Sequence, residues 1–260
     1  MYSGLKAVVF DWAGTMIDFG SRAPVVALCK LFDAAGVPIT ESEARVDMGK
    51  AKYDHILAIL QQPRISAAWR ARYGVIPGID EATRLFQGIT PMMQDAAREC
   101  ARLIPGAAEI AAGLRSAGVK IGSCTGYTRE MMADILPCAA GQGYTPDNLV
   151  CAGDTLEGRP SPLMLWKNLV DLGAWPATAC IKVDDAEAGI AEGRAAGVWT
   201  VGVAASGNGV GLSLEDFTAL PADERAERVA RSANALKAAG AHVVIDSVAD
   251  LPEAVRQLEL

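Results

Sequence analysis

Ala7-Val8-Val9-Phe10-Asp11-Trp12-Ala13-Gly14-Thr15 is the stretch that decides the fold. Its first four residues form a short, continuous apolar run, which is typical of a strand buried on both faces. The run stops at an aspartate, and a glycine follows three residues later, so the chain is predicted to turn there. Strands of this kind build parallel sheets covered by helices, and such sheets bind ligands at the carboxyl ends of their strands.

Short apolar runs alternate with helical patterns over most of the remaining chain. The further predicted strands are 119–123, 149–151, 181–183, 200–203 and 243–245. The predicted helices between and after them are 107–117, 129–140, 162–172, 186–196, 222–239 and 250–258. This alternation predicts an α/β fold with a Rossmann-like parallel sheet.

Residues 22–103 interrupt the alternation, because they contain no convincing strand. They are predicted to form helices at 23–35, 41–48, 53–60, 67–73 and 80–103. The simplest arrangement is a helical cap domain, 22–103, inserted into a core domain made of 1–21 and 104–260. Pro24 and the stretch Leu103-Ile104-Pro105-Gly106 are predicted hinges. The apolar face of 25–32 has two interpretations, a dimer interface or core.

Composition excludes several classes of protein. The chain has 260 residues, of which 51% are hydrophobic, and a formal net charge of -7. An acidic chain of this kind is a poor nucleic-acid binder, since phosphate contacts need clustered Lys and Arg. There is no run of 18 apolar residues and no secretory signal, so neither a membrane span nor export is expected. The six cysteines form no CxxC pair, which favours reduced thiols in a cytoplasmic protein over a zinc site.

Polar residues follow several predicted strands in an informative order. Asp11 follows the first strand, Thr125-Gly126 the second, and Asp184-Asp185 the fourth, while Arg159 precedes the helix at 162. Each of these residues alone is weak evidence, because Asp, Thr and Gly are common in turns. Together they are what phosphoryl transfer requires: acids to hold Mg²⁺, and a cation and N–H groups to neutralise phosphoryl oxygens.

Lys52 adds a second chemistry to this set. It lies in Met48-Gly49-Lys50-Ala51-Lys52-Tyr53-Asp54-His55, within the predicted insert. An aspartate can accept a phosphoryl group, and a lysine can form a Schiff base with a carbonyl. Few reactions need both groups in one pocket.

These residues resemble the motifs of the haloacid dehalogenase superfamily and, over nearly the whole chain, those of its phosphonoacetaldehyde hydrolase (phosphonatase) family. The stretches that carry the resemblance are 10–15, Met48-Gly49 with Lys52 and Asp54-His55, 121–123 with 125–127, 158–160, 192–194 with 196–197, and 199–203. Most members of the superfamily carry a second Asp two residues after the nucleophile. Ala13 stands there in this chain, and phosphonatases share that substitution. A lysine imine accepts the electrons of a carbon leaving group, so the acid that an oxygen leaving group needs is dispensable.

The resemblance implies roles for ten residues and a Mg²⁺ ion. Lys52 would condense with the aldehyde of phosphonoacetaldehyde, and Asp11 would take the phosphoryl group. The Asp11 carboxylate, the Ala13 carbonyl and Asp185, assisted by Asp184, would hold Mg²⁺. The phosphoryl oxygens would be held by Thr125, the Gly126 N–H and Arg159. His55, three residues after Lys52, and Tyr127 would move protons or orient the imine. The family also implies a homodimer.

Some features leave alternatives open. Gly189 stands where many superfamily members have a further Asp, which the Asp184-Asp185 pair is expected to replace. Arg22, Lys50 and Met16 also depart from the family pattern, and Lys50 is expected to be solvated. The alternatives are a phosphatase or phosphomutase of the same fold, or a phosphoryl-ligand binder in which Ala13 has disabled the site. The glycine-rich stretch 206–211 lacks the lysine of a phosphate loop and is predicted to be a flexible surface loop.

Overall fold

A six-stranded parallel sheet forms the centre of the protein in the computed structural model, which describes residues 2 and 4–258. The strands are β1 (Ala7–Phe10), β2 (Lys120–Thr125), β3 (Asn148–Cys151), β4 (Cys180–Asp184), β5 (Trp199–Val203) and β6 (Val243–Ile245). Their order across the sheet is β3-β2-β1-β4-β5-β6. The predicted α/β fold is therefore confirmed, and every predicted strand is present with its bounds within two residues.

Strand β1 lies in the middle of the sheet because all four of its residues are apolar and buried. Val8 pairs with Ile121 of β2 on one side and with Ile181 of β4 on the other. Just beyond β1, the indole of Trp12 packs edge-on against the ring of Tyr144, with the ring centroids 5.2 Å apart. This packing anchors the chain directly after Asp11.

Five of the six helices between β1 and β2 lie within residues 22–100, and these five are here named the helical insert. They are α1 (Arg22–Ala34), α2 (Glu41–Arg45), α3 (Lys52–Gln61), α4 (Pro63–Tyr73) and α5 (Ile79–Cys100). Helix α1 packs along α5, and Val25, Leu28 and Phe32 are buried there. The face of 25–32 is therefore core rather than a free dimer surface. The bounds predicted for the two domains stay a prediction.

The helices that cover the sheet come after the insert. They are α6 (Ala107–Ser116), α7 (Arg129–Met132), α8 (Ile135–Gly141), α9 (Leu163–Leu172), α10 (Glu187–Ala196), α11 (Leu214–Ala219), α12 (Ala222–Ala238) and α13 (Leu251–Gln257). Glycines end several of them as predicted; Gly173 and Gly197 cap α9 and α10 in the left-handed conformation, at φ of 63° and 79°. In the part of the chain that the structure describes, no helix is long and apolar enough to cross a membrane.

Two helix predictions need correction, and one helix was missed. The helix predicted over 129–140 is two helices, α7 and α8, because Pro137 has no N–H to continue the ladder back to Ala133. The helix predicted over 41–48 ends at Arg45, and Asp47 then adopts a left-handed φ of 61°. Helix α11 was not predicted, although Ser213 caps its first turn by accepting a hydrogen bond from the Asp216 N–H at 3.0 Å.

Candidate active site

The carboxyl edge of the sheet brings the predicted acids and hydroxyl together. Asp11 follows β1, Thr125 is the last residue of β2, and Asp184 ends β4 with Asp185 directly after it. Because β1 pairs with both β2 and β4, these side chains come from three adjacent strands. The Asp11 N–H donates to the Val183 carbonyl at 3.0 Å, which extends the ladder one step past β1 and holds the acid at the edge.

Three buried carboxylates form a cluster at this edge. Asp11, Asp184 and Asp185 each offer a ligand oxygen, and these oxygens lie within 4.8 Å of one another. The Asp185 carboxylate is oriented from two sides, by the Thr15 hydroxyl at 3.2 Å and by the Asn208 backbone N–H at 2.7 Å. A group of convergent carboxylates held in this way is suited to a metal ion.

Arg159 contacts two of these acids, Asp11 and Asp184, through one guanidinium nitrogen. Its Nη1 lies 2.8 Å from Asp11 Oδ1 and 3.4 Å from Asp184 Oδ2. Its other nitrogens are also used, since Nε donates to Glu192 Oε2 at 3.1 Å and Nη2 donates to the Cys124 carbonyl at 2.5 Å. The guanidinium is almost completely buried, so its position is determined by these partners. Arg159 therefore presents one side of its fork to the predicted nucleophile.

A second buried cation, Lys182, was not assigned a role from the sequence. Its Nζ lies 3.1 Å from Asp184 Oδ2 and 3.2 Å from Glu192 Oε2, and all three side chains are fully buried. The available signal was a lysine inside an otherwise apolar strand, because such a position is rarely occupied by an unpaired charge. Glu192 was noted only as part of a family motif. Lys182 pairs with Asp184 and Glu192 pairs with Arg159, so Lys182 and Glu192 help to hold these two side chains in place.

The charges of this buried cluster do not balance. Burial raises the pKa of Asp11, and the nearby carboxylate of Asp184 raises it further, while Arg159 opposes the change. The pKa of Asp185 is raised by burial and by the charges of Asp11 and Asp184. When ionised, the carboxylates of Asp11, Asp184, Asp185 and Glu192 exceed the charges of Arg159 and Lys182 by two, and by one when Lys52 is protonated. The oxygen donors and this excess fit a hard divalent cation.

Lys52 approaches the carboxylates from the helical insert, as the first residue of α3. Its side chain is 2% exposed. Burial is the main cause that lowers the pKa of Lys52 to about 8, with Arg159 lowering it further and Asp11 opposing. The ammonium group lies 5.3 Å from the centroid of the Tyr127 ring. A lysine with this pKa has a substantial fraction of neutral amine near physiological pH, and the neutral amine is the nucleophile.

One small cavity separates the insert from the sheet edge. Eight of the ten predicted site residues line it: Asp11, Ala13, Lys52, Thr125, Gly126, Tyr127, Arg159 and Asp185. Only about 20 Å³ of it is open to the centre of a water-sized sphere, which is room for about one water molecule. The insert is therefore closed over the site in this conformation.

His55 lies beside this cavity rather than on its wall. Its Nε2 donates to the Ala44 carbonyl at 2.9 Å, because a carbonyl can only accept, and this bond ties α3 to α2. Burial, followed by the positive charge of Lys52, lowers the pKa of His55 to about 3. The imidazole is therefore neutral at physiological pH. Within the described residues its Nδ1 has no hydrogen-bond partner. Its proposed part in proton transfer stays a prediction.

Gly126 shows how closely the insert meets the sheet. A Cβ at Gly126 would lie 2.5 Å from the carbonyl oxygen of Lys50, so no larger residue fits without moving the insert. The Lys50 side chain points away and pairs with Asp47 at 2.6 Å, in a partly exposed position. Lys50 is therefore an ion-paired surface residue, whereas Lys52 lies inside the cavity.

The glycine-rich stretch 206–211 is not the surface loop that was predicted. Ser206 and Gly207 are buried, and a Cβ at Gly207 would lie 2.5 Å from the Asp185 Cβ. The Ser206 hydroxyl donates to the Gly14 carbonyl at 2.8 Å, and the Asn208 N–H reaches Asp185. The prediction was wrong because the small residues serve close backbone approach to an acid that is remote in sequence.

Comparisons with known proteins agree with this geometry. A family model of haloacid dehalogenase-like hydrolases matches residues 5–197. A protein of Paraburkholderia phytofirmans named phosphonoacetaldehyde hydrolase is 50% identical over 255 residues, which cover 98% of this chain and 96% of that protein. A protein of the same name from Syntrophobacter fumaroxidans is 41% identical over 258 residues, covering 99% of this chain and 93% of the relative.

Solved structures similar to this chain include one whose name points to the same family. The crystal structure of a phosphonoacetaldehyde hydrolase-like protein from Oleispira antarctica superimposes with a TM-score of 0.97 at 43% identity, covering 98% of this chain and 92% of that one. A β-phosphoglucomutase from Clostridium difficile, at 19% identity and a TM-score of 0.68 over 98% of this chain and 96% of its own, shares the fold alone. The chain belongs to the haloacid dehalogenase-like hydrolases and, within them, to the family whose members are named phosphonoacetaldehyde hydrolase.

Proposed function

We propose that the protein hydrolyses the phosphorus–carbon bond of phosphonoacetaldehyde to acetaldehyde and phosphate. One observation carries this proposal: Lys52, with its pKa lowered to about 8, lines the same small cavity as Asp11. The cavity also presents Ala13 where an acid would serve an oxygen leaving group. The names of the relatives at 40–50% identity support the same activity.

The reaction begins at Lys52. Its neutral amine attacks the aldehyde carbon, water leaves, and a protonated imine forms. The imine places a positively charged nitrogen one carbon away from the carbon that bears phosphorus. Tyr127 supports this step, because its ring faces the Lys52 nitrogen and favours a cation there.

Asp11 then cleaves the phosphorus–carbon bond. A carboxylate oxygen attacks phosphorus, the bond to carbon breaks, and its electron pair moves into the imine to give an enamine. The phosphoryl group remains on Asp11 as an acyl phosphate. Arg159 lies 2.8 Å from the attacking carboxylate, so it is placed to neutralise phosphoryl oxygens, together with the Thr125 hydroxyl and the Gly126 N–H.

Two hydrolyses restore the protein. A proton adds to the enamine carbon, and water releases acetaldehyde and the Lys52 amine. A second water attacks the acyl phosphate and releases phosphate and the Asp11 carboxylate. One water enters the net reaction, since the first condensation released one. His55 and Tyr127 are proposed to orient the imine and to move its protons.

The metal is proposed to be Mg²⁺. Asp11, Asp185 and the Ala13 carbonyl would hold it, with Asp184 behind them. When bound, such an ion neutralises charge on the phosphoryl oxygens. Removing it is expected to leave the buried carboxylates with uncompensated negative charge.

Three further parts of the proposal concern the whole protein. Residues 22–103 are proposed to act as a cap domain that opens to admit substrate. The family resemblance supports a homodimer, which light scattering after size exclusion would test. The six free cysteines support a reducing compartment, hence the cytoplasm.

Coupling acetaldehyde release to an NADH-dependent dehydrogenase, with phosphate measured in parallel, tests the activity. Equal amounts of acetaldehyde and phosphate from phosphonoacetaldehyde are expected, with no turnover after chelation of divalent metals. Phosphate release from phosphate monoesters, without phosphonate cleavage, would identify a phosphatase. Tight binding of phosphonate without either product would identify a binding protein.

A further inference from the structure

Arg45 connects the helical insert to two segments of the sheet domain with one side chain. It is the last residue of α2. Its Nη1 donates to the Gly20 carbonyl at 3.0 Å and to Asn208 Oδ1 at 3.0 Å, and reaches the Ser21 carbonyl at 3.5 Å. Its Nη2 donates to the Gly211 carbonyl at 2.9 Å. The guanidinium thus joins the segment that enters α1 and the loop 206–211.

Glycines shape the space that the guanidinium occupies. Gly211 has a left-handed φ of 72°, and a Cβ there would lie 2.7 Å from Arg45 Cζ. The Gly20 φ is 88°, and a Cβ there would lie 2.1 Å from the Leu212 carbonyl oxygen. At these glycines the two segments approach each other with no intervening side chain. The planar guanidinium of Arg45, which has several fixed donors, bridges their carbonyls.

The same contacts continue to the acid cluster. Asn208, which accepts from Arg45 through its side chain, donates its backbone N–H to Asp185 Oδ2 at 2.7 Å. The Gly20 N–H donates to the Ser206 carbonyl at 2.7 Å, which fastens the two segments to each other. A path of hydrogen bonds therefore runs from α2 of the insert to a carboxylate of the candidate metal site.

Arg45 also precedes the part of the insert that closes the cavity. The segment 46–51 follows it and carries Met48 and Gly49 on the cavity wall, and Lys52 begins α3 directly afterwards. A Cβ at Gly49 would lie 3.0 Å from the Ala186 Cβ, so this segment touches the strand-end loop of β4. Because the cavity has room for about one water molecule, its wall, which includes this segment, has to rearrange before a substrate can bind.

We propose that Arg45 is a positioning residue that latches the helical insert closed and, through Asn208, holds Asp185 in its ligand orientation. Opening breaks the bonds of Arg45 to the loop 206–211, and closing remakes them. Closure of the insert and orientation of Asp185 as a metal ligand then occur together. The role of the latch in catalysis rests on the proposed function, whereas the contacts that form the latch do not depend on the identity of the substrate.

Hydrogen–deuterium exchange and Mg²⁺ titration of the full-length protein test the latch without any turnover. In Arg45→Met, amide exchange over 46–51 and 206–211 is expected to rise about tenfold. Mg²⁺ measured by calorimetry is expected to bind about tenfold more weakly, as for other partners behind metal ligands. Arg70→Met, an exposed arginine on α4 of the same insert, is the matched control.

The latch is overturned if either readout in Arg45→Met equals that in Arg70→Met. If Arg45→Met does not fold, Arg45→Lys serves instead, since it keeps the charge and loses the fork. It is expected to show both changes to a smaller extent, and its equality with the control also overturns the latch. If Arg45→Met shows both changes but the wild-type protein releases no acetaldehyde, the latch is supported and the proposed function is rejected.

Discussion

Gly189 leaves the space in which the carboxylate of Asp184 lies. A Cβ at Gly189 would be 1.9 Å from Asp184 Oδ2, well inside any allowed contact. The position is on helix α10 and has no left-handed φ, so its glycine is explained by the acid rather than by the backbone. Asp184 ends strand β4, and its carboxylate meets Arg159 and Lys182 there.

Gly189→Ala is therefore expected to destabilise the protein by about 1–3 kcal/mol, as overpacking does. This is opposite to the ordinary effect of Gly→Ala inside a helix, which favours folding by up to about 1 kcal/mol. Gly113→Ala on α6 is the control, because a Cβ there meets nothing within 4 Å. Urea denaturation of both variants measures the difference. Equal stabilisation by the two changes would show that Asp184 moves aside at no cost.

Asp11→Asn is expected to abolish turnover by at least about a thousandfold, since the amide cannot accept the phosphoryl group. The fold should be retained, because removing one of three adjacent acids relieves repulsion in the cluster. Acetaldehyde release measures activity, and thermal unfolding measures the fold. Aldehyde should still condense with Lys52. Substantial remaining activity would exclude the aspartyl-phosphate step.

Borohydride added with acetaldehyde is expected to inactivate the protein by reducing an imine on Lys52. Mass spectrometry should find the added mass on Lys52 and not on Lys50, which is paired with Asp47 outside the cavity. With the pKa of Lys52 lowered to about 8, the neutral amine is lost as pH falls below 8, so trapping should slow with decreasing pH and level off above it. Labelling of Lys50, or full activity in Lys52→Arg, would contradict the assignment.

Ala13→Asp is expected to lower the rate of acetaldehyde release. Ala13 lines the cavity and is 7% exposed, so a new carboxylate would crowd the acids and add negative charge where no oxygen leaves. Ala13→Asn, which has the same shape without the charge, separates crowding from electrostatics. A phosphate-monoester substrate would reveal any phosphatase activity gained. Faster phosphonate cleavage in Ala13→Asp would contradict the reason given for the alanine.

His55 is expected to make stability depend on pH. Its pKa is lowered to about 3 in the folded protein, whereas an unfolded His has a pKa of about 6.5. Between these values the unfolded chain binds a proton that the folded one refuses, so stability falls as pH drops from 6.5 towards 3. The limiting slope is about 1.4 kcal/mol per pH unit. Urea denaturation at several pH values should show this slope weakened strongly in His55→Asn. It should be weakened less in His242→Asn, because burial lowers the pKa of that exposed imidazole as well, but without the large shift of His55.

Much of the sheet was predictable because its signals are local. The run before Asp11 is apolar at every position, and a strand buried on both faces needs nothing else to be recognised. The order of acids and hydroxyl after the strands followed from the rule that parallel strands end at one edge. Lys52 could be placed near them only through a family resemblance, because no comparable rule says which residues of a helical insert meet the edge of the sheet.

The parts that the sequence did not reveal depend on partners far along the chain. Lys182 stands out in the sequence as a lysine in an apolar strand, but its partners, Asp184 and Glu192, could be identified only from the structure. The stretch 206–211 has the composition of a surface loop, and only the position of Asp185 makes its small residues necessary. The predicted helix 53–60 begins one residue earlier and includes Lys52 with His55, yet the ring nitrogen of His55 is held by the backbone of α2.

Lys52 and Asp11 belong to different parts of the molecule, one to helix α3 of the insert and the other to the loop after β1. Under the proposed mechanism, the two halves of the cleaved substrate are therefore tethered to two bodies at the moment the bond breaks. Any parting of the insert and the sheet then carries the carbon half away from the phosphorus half. Separation in space would then slow recombination of the two halves, whichever half is released first.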